Sequence, residues 1–173
     1  MLLAQDHQFK DAYSAFEDRL FRIAKRLLIS EDEAKDATQE VVIKLWQMPK
    51  KQRQQLKSLE AYAVTMTKNY CFDRLKSKHA QQDFLDDSFI QKADSQSLNK
   101  QLDRSDALQW VGKLMDGLPE KERLILQLRD IENYEFDEIA KVLTMPETTV
   151  RVYLSRARKK IKEKFKKVDG HGL

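Results

Sequence analysis

The densest group of chemically active side chains lies near the C-terminal end of the sequence. Residues 147–167 carry nine lysines and arginines against two glutamates, a net charge of +7, whereas the whole chain carries +4. Cations at this density neutralise phosphates, which supplies the sequence-independent part of DNA binding. A solvated basic tail is the alternative, and it applies best beyond Lys162. We expect a basic helix, from about Thr148 to Lys167, that contacts DNA.

The residues before this helix have the spacing of a helix-turn-helix unit. Ile139, Ala140 and Leu143 share one face of a short helix, and only residues 144–146 separate it from the basic helix. The unit requires such a turn, and a small Ala140 lets the second helix cross closely. The start of the second helix reads base edges while other residues hold phosphates. The predicted base readers are Glu147, Thr148, Arg151 and Ser155, and the predicted phosphate contacts are Arg156, Arg158 and Lys159.

The remaining reactive side chains form no catalytic or metal-binding pattern. The histidines, His7, His79 and His171, lie far apart in sequence, and Cys71 has no second cysteine to pair with. The sequence contains no glycine-rich phosphate loop and no metal-ligand spacing. We therefore expect no enzyme activity, no metal, no cofactor and no small-molecule substrate.

Apolar periodicity predicts an all-α fold. The chain has only four glycines and three prolines, and its apolar residues recur at three- and four-residue steps. Ser30 followed by acids predicts a helix start, because serine caps a helix and acids suit its positive end. Residues 49–57 read as a surface loop or a short helix. Longer helices are predicted at 9–28, 31–47, 58–78, 106–117, 119–128 and 136–143, before the basic helix.

A change of composition divides the chain into two units. Residues 80–103 contain five aspartates against two lysines and lose the apolar period. Such a segment is typical of a flexible acidic linker. We predict two small helical domains, an N-terminal helical bundle at 1–79 and a C-terminal helix-turn-helix domain at 104–167, followed by a tail at 168–173.

Nothing in the sequence suggests export or membrane insertion. Residues 1–10 lack the apolar core of a signal peptide, and no run approaches the ~18 apolar residues that cross a bilayer. The single Cys71 fits a reducing compartment. We expect a cytoplasmic protein that is not itself in the membrane.

Three stretches of the sequence carry a family resemblance. They are EDEAKDATQEVVIKLW at 31–46, YAVTMTKNYCFDRLKSK at 62–78, and the run through LPEKERLILQL, FDEIAKVL and TTVRVYLSRARKKI at 118–161. Together they resemble the bacterial extracytoplasmic function (ECF) sigma factors, in the RNA polymerase sigma factor family. Many response regulators share something like the last stretch, so the Asp36-x-x-Gln39-Glu40 group makes the resemblance specific.

The resemblance implies a non-enzymatic polymerase subunit that directs promoter-specific transcription initiation. Asp36, Gln39 and Glu40 would bind the clamp helices of the β′ subunit, since acids on an exposed helix face suit a basic partner helix. Without the resemblance, solvated acids near a helix start are the simpler interpretation. The implied partners are core RNA polymerase (β′ clamp helices and β flap), promoter DNA and an anti-sigma factor.

The resemblance also assigns the two DNA contacts. The segment at 62–78 would recognise and melt the minus-ten element, because a flipped base needs a surface to receive it and a single strand needs cations. Asn69 stands where the family places an amide against a flipped base. The implied minus-ten residues are Asn69, Asp73, Arg74, Lys76 and Lys78. The basic helix would bind the minus-thirty-five element.

Three positions and one loop depart from the family pattern. Asn133 and Glu135 replace a glycine and a hydroxyl residue, and Asn133 can adopt the left-handed conformation as glycine does. Pro146 replaces a serine cap, so we expect Thr144 or Met145 to begin the basic helix. Residues 49–57 lack the usual aromatic side chain, which affects the minus-ten base preference.

A helix-turn-helix regulator that binds an operator as a dimer is the alternative function. Such a regulator would use the basic helix in the same way. This alternative would leave Asp36, Gln39 and Glu40 without a role. It would also require a dimerisation helix or a ligand pocket.

Overall fold

The computed structural model describes residues 2–85 and 104–170, and these two ranges form α-helices and one π-turn without a strand. The all-α prediction is confirmed. In chain order the elements are α1 (Leu2–Leu28), α2 (Glu31–Gln47), α3 (Lys50–Gln55), α4 (Leu59–Leu85), α5 (Arg104–Asp116), α6 (Glu120–Leu126), the π-turn (Gln127–Ile131), α7 (Phe136–Leu143) and α8 (Glu147–Asp169). Most of the predicted acidic linker and the end of the predicted tail lie outside the described residues.

Helices α1, α2 and α4 form the N-terminal bundle because each buries one apolar face. Leu20 and Leu27 of α1, Leu45 of α2 and Val64 of α4 are all fully buried. Full burial stabilises the fold by about 1.5–3 kcal/mol for each such aliphatic side chain. The predicted cap of α2 is confirmed, since the Ser30 side chain accepts a hydrogen bond from the Glu33 backbone N–H at 3.3 Å.

Two helices of the N-terminal bundle are longer than the sequence indicates. Helix α1 begins at Leu2 instead of Phe9, and α4 continues to Leu85. The prediction that this helix ends at residue 78, just before a linker that begins at Ala80, is therefore wrong. Residues 80–85 contain alanine, glutamines and a leucine without glycine or proline, so helix propensity carries α4 onward. This extension buries little, since Phe84 is 88% exposed.

The C-terminal unit packs α6, α7 and α8 around apolar side chains that belong to the same buried cluster as the core of the N-terminal bundle. Leu128, Ile139 and Val150 are fully buried there. Thr144 closes α7 in a left-handed conformation (φ 52°), and α8 begins at Glu147 with Pro146 as its extended N-cap. The expectation that Thr144 or Met145 begins α8 is wrong, because a left-handed residue and a residue before proline both disfavour the helix. Helix α8 also runs to Asp169, two residues beyond the predicted domain end.

A π-turn follows α6, and the sequence contains no recognisable signal for it. The Glu132 backbone N–H donates to the Gln127 carbonyl at 3.0 Å, five residues back instead of four. Asn133 then adopts the left-handed conformation (φ 60°), as predicted. The side chains of Gln127 and Glu132 are both buried beside this turn.

Polar contacts join the two units. Helix α1 packs against α5, α6 and the π-turn, and α4 packs against α7. The Arg22 guanidinium donates two hydrogen bonds to Glu132, from Nε at 2.9 Å and from Nη2 at 2.8 Å. Arg26 Nη1 donates to the Asp116 carboxylate at 3.0 Å. None of the helices in the two described ranges is apolar and long enough to cross a membrane.

Candidate functional site

The exposed face of α2 holds the three residues that the resemblance assigns to polymerase binding. Asp36 and Gln39 are exposed, and Glu40 is half-buried. The Glu40 carboxylate lies 3.4 Å from the ammonium group of Lys44, one turn further along the helix. Because the opposite face of α2 buries Val41 in the bundle, helical periodicity directs the three polar side chains outward.

The same region of α2 also exposes two large apolar side chains. Ile43 is 49% exposed and Trp46 is 48% exposed. The Trp46 ring contacts Phe9 edge-to-face, with 5.3 Å between ring centroids. Exposed apolar side chains beside polar ones are typical of a protein-binding surface. Ile43 was not predicted as part of this surface, although it falls outside the buried face of α2 formed by Ala34, Ala37, Val41 and Leu45.

A cleft of about 450 Å³ lies between α2 and α4. Three of the five predicted minus-ten residues, Asn69, Asp73 and Arg74, line this α2–α4 cleft together with Glu40. All three are exposed. Its remaining lining residues are Val41, Lys44, Met66, Tyr70 and Ser77. The structure therefore brings predicted DNA-contacting residues beside a predicted polymerase-contacting residue.

The other predicted cations of α4 do not line the cleft. Lys76 is exposed away from it, and Lys78 pairs with Glu33 of α2. Arg74 also approaches Glu33, with 3.5 Å between Nε and Oε1. The hydrogen bond from Lys78 is the largest cause that holds the pKa of Glu33 below its usual range. Arg74 and Lys78 thus hold α4 against α2 in addition to any contact with DNA.

All seven predicted DNA residues of α8 are exposed. They are Glu147, Thr148, Arg151, Ser155, Arg156, Arg158 and Lys159. Their orientation follows from the core, because Val150, Leu154 and Ala157 bury the opposite side of α8.

Arg151 has a defined position on the surface of α8. Its guanidinium carbon lies 3.8 Å from the centroid of the Phe136 ring, and Arg129 approaches the same ring at 4.6 Å. One Arg151 nitrogen lies 3.9 Å from the Glu147 carboxylate. A cation held over an aromatic face loses less freedom when it meets a base edge. No local signal in the sequence indicates that Phe136 belongs to this surface, because its contact with Arg151 forms only when α7 and α8 pack.

Two other cations of α8 are paired within the C-terminal unit. Arg158 Nε donates to Asp130 of the π-turn at 3.0 Å, and a second nitrogen of the same guanidinium also donates to that carboxylate. Lys160 donates to the nearly buried Glu122 carboxylate at 2.9 Å. Arg158 is predicted as a phosphate contact, but in the structure it has a partner inside the chain, Asp130.

An apolar groove of about 450 Å³ lies between α5, the π-turn and α8. Its apolar lining residues are Val111, Met115, Leu126, Ile131, Ile161 and Phe165. Phe165 is 51% exposed and Ile131 is 46% exposed. Lys162, Lys166 and the paired Asp130 and Arg158 also line it. We call this the C-terminal apolar groove.

The described part of the chain contains no cluster of histidine, cysteine and carboxylate side chains that could hold a metal ion. Cys71 is buried in α4, and burial is the largest cause that raises the pKa of its thiol to about 12. A thiol with such a pKa is a poor nucleophile at neutral pH.

Comparisons with known proteins address both units. The protein-family model described as sigma-70 region 2 matches residues 12–81, and the family model described as sigma-70 region 4 matches residues 108–161. The solved sigma factor RpoE from Bartonella quintana, in complex with the anti-sigma factor NepR, is similar over 92% of this chain and 97% of its own, with 21% identity and a TM-score of 0.71. No curated protein matches the sequence. The chain belongs to the sigma-70 family of RNA polymerase sigma factors, with the pairing of region 2 and region 4 of the ECF group.

Proposed function

We propose that the chain binds core RNA polymerase through α2 and directs it to promoters through α4 and α8. In this assignment the N-terminal unit recognises and melts the minus-ten element, and the C-terminal unit binds the minus-thirty-five element. The observation that carries the proposal is the α2–α4 cleft. It places Asn69, Asp73 and Arg74 next to Glu40, so polymerase and the melted strand would meet on one surface.

Asp36, Gln39 and Glu40 are the residues that we assign to the β′ clamp helices. Exposed Ile43 and Trp46 would extend this contact with apolar area. Polar groups of this kind give orientation and specificity, whereas apolar side chains that lose water on binding give most of the affinity. The two kinds of side chain lie on the same helix, as a helical partner requires.

Two further protein contacts follow from the family. We assign the β flap of polymerase to the C-terminal apolar groove, because the groove offers apolar area together with the lysines Lys162 and Lys166. An anti-sigma factor is the partner class that the relative from Bartonella quintana binds, and we propose the same class for this chain. The chain would act in the cytoplasm, where core polymerase is, as a regulatory subunit without catalysis of its own.

Retention of core polymerase separates this function from an operator-binding regulator. The tagged full chain should retain purified core polymerase, and the complex should start transcription at promoters that share two spaced elements. Mapping of transcription start sites after overexpression would identify those promoters. A helical, correctly folded chain that retains no polymerase would favour the operator-binding alternative.

Replacing Arg156 with alanine should weaken DNA binding more than replacing Arg158 does. Arg156 is exposed, whereas Arg158 already donates to Asp130 at 3.0 Å. We expect Arg156→Ala to reduce the slope of log affinity against log salt by about 0.9, the value for one phosphate contact. Binding of a labelled duplex to the polymerase complex at several salt concentrations measures this slope.

Arg158→Ala should change that slope less and lower the melting temperature instead, because it removes the ion pair that holds α8 to the π-turn. Asp130→Asn is the complementary variant, since it frees Arg158 for DNA. Equal losses of slope for the two arginine variants would show that Arg158 leaves Asp130 to contact phosphate.

A further inference from the structure

Helix α8 carries an apolar side chain in the middle of its exposed polar face. Val152 is 48% exposed and lies beside Arg151, one turn from both Thr148 and Ser155. Val150, only two residues earlier, is fully buried. Because two residues along a helix point to nearly opposite sides, Val152 takes no part in the core beneath α8.

The position and chemistry of Val152 suit one feature of DNA. Val152 is the sixth residue of α8, which begins at Glu147. In a helix-turn-helix unit the first turns of the second helix lie in the major groove. The 5-methyl group of thymine is the apolar group that a base pair presents there, and apolar side chains recognise it.

We infer that Val152 contacts a thymine methyl in the minus-thirty-five element and is a specificity-determining residue. This inference rests on the proposed function of α8. Arg151 and the polar side chains around it would hydrogen-bond base edges, while Val152 would remove water from the methyl group. The valine would therefore favour thymine over cytosine at one position of the element.

Replacing thymidine with deoxyuridine tests this contact, because the two nucleosides differ only by the 5-methyl group of the base. The complex of the full chain with core polymerase would first select upstream sequences from a randomised duplex library. Each thymine of the selected duplex is then changed singly to deoxyuridine. We expect one such change to lower wild-type affinity about fourfold, the effect of burying one methyl-sized group.

Val152→Ala should lose a similar factor on the thymine duplex and should be insensitive to that uracil. Val168→Ala is the matched control, because Val168 is 43% exposed at the far end of the same helix and should keep full sensitivity. Wild-type indifference to every uracil, or undiminished sensitivity in Val152→Ala, would overturn the inference while sequence selection still supports α8 as a DNA reader. A library without an enriched sequence would overturn the proposed function of α8 and this inference with it.

A buried carboxylate, Glu132, lies at the contact between the two units. The Glu132 side chain is only 2% exposed, although it belongs to the C-terminal unit and its cationic partners belong to α1. Arg22 donates to it twice, Arg19 Nε approaches it at 3.3 Å, and Gln127 donates to it at 3.0 Å. Burial alone would raise the pKa of Glu132, but the hydrogen bonds and charges of these partners outweigh burial and hold its pKa below the usual range.

The same network reaches α4. The Tyr134 hydroxyl donates to Glu60 at the start of α4, with 3.0 Å between the oxygens. Arg19 also pairs with Glu60, and its guanidinium lies 5.5 Å from the centroid of the Tyr134 ring. Arg19, Glu60, Glu132 and Tyr134 therefore form one cluster that holds α1, α4 and the C-terminal unit together.

We call this packed arrangement of the two units closed. In it, the two predicted DNA-contacting regions lie too close together to reach both promoter elements at once. Asn69 lies nine residues after Glu60 along α4, and Thr148 follows Tyr134 by one short helix and two turns. The length that each helical or extended residue can span then limits the distance between Asn69 and Thr148 to at most roughly 60 Å. Elements centred at minus ten and minus thirty-five lie about 85 Å apart on straight DNA, at about 3.4 Å per base pair.

We propose that the Glu132 cluster is a latch that keeps the free chain closed and must open when both promoter elements are bound. Arg22 and Arg19 suit this role because their side chains are 49% and 35% exposed. Water and ions can therefore replace Glu132 as their partner when the units separate. The proposal rests on the proposed function only for the distance between the two DNA contacts.

Small-angle X-ray scattering of the full chain tests the latch. Glu132→Gln keeps the shape of the side chain but removes its charge, so we expect the closed fraction to fall by about tenfold or more and the radius of gyration to rise by several ångströms. Arg22→Gln should act in the same direction. The double variant should add little, because both substitutions remove one interaction.

Asp137→Asn is the matched control. It removes the same charge from an exposed position in α7, and the radius of gyration should stay at the wild-type value. An extended wild-type chain, or Glu132→Gln and Arg22→Gln variants as compact as wild type with unchanged helix content, would overturn the latch. Neither result would affect polymerase retention, so a failed latch and a failed sigma function remain distinguishable.

Discussion

Changing Asp36 to arginine together with Gln39 to alanine should abolish most of the affinity for core polymerase. Both side chains are exposed on α2, so the substitutions leave the bundle core intact. If the partner is a basic helix, the arginine brings like charges together, which costs several kcal/mol. We expect a loss of at least about 30-fold in affinity, which corresponds to about 2 kcal/mol, measured by titration of core polymerase with the labelled chain.

A control pair of the same residue types is available on α1. Asp11 and Gln8 are also exposed and three residues apart, so Asp11→Arg with Gln8→Ala makes the same chemical change on another helix. This variant should bind polymerase as wild type does. Wild-type affinity in the α2 variant, with normal binding of upstream DNA as proof of folding, would contradict the assignment of α2.

Arg151 and Lys162 should affect DNA binding in two different ways. Arg151 is held over Phe136 near the start of α8, whereas Lys162 lies further along the helix beside the C-terminal apolar groove. We expect Arg151→Ala to cost about 1–3 kcal/mol on the preferred sequence and to relax the preference at one base position. Competition among duplexes that differ at single positions measures this change.

Lys162→Ala should instead weaken binding equally on every sequence. A cation that neutralises a phosphate carries no sequence information, and its removal should reduce the salt slope by about one. The same set of duplexes, measured at several salt concentrations, separates the two effects. Identical behaviour of the two variants would show that the division into base readers and phosphate contacts is wrong.

Several helix limits could be predicted because their signals are local. Ser30 caps α2 through its own hydroxyl. Asn133 tolerates a positive φ that most residues avoid. The limits of α7 also follow directly from its apolar period. Each of these features depends on residues within a few positions of one another, so the sequence alone was sufficient.

The errors arose where two local signals competed or where no local signal existed. Pro146 was interpreted as replacing a cap, yet it serves as the extended cap itself, and Glu147 is the first residue of α8. The acidic composition after residue 79 predicts a helix end at residue 78, but helix propensity continues α4 to Leu85. The π-turn has no recognisable sequence pattern, and only the backbone hydrogen bond from Glu132 to Gln127 reveals it.

The amino-acid sequence by itself determined which helices carry charged residues and which faces of those helices are charged. The helical period alone places Asp36 and Gln39 on the exposed face of α2 and most cations of α8 on the exposed side of that helix. Only the tertiary structure decided which charged side chains are paired within the chain and which are available to bind DNA or polymerase. Arg158 is held by Asp130, and Glu132 is buried among the cations of α1. These pairs join residues 28 and 110 positions apart, and no local preference specifies which of many carboxylates a given arginine will meet once the helices pack.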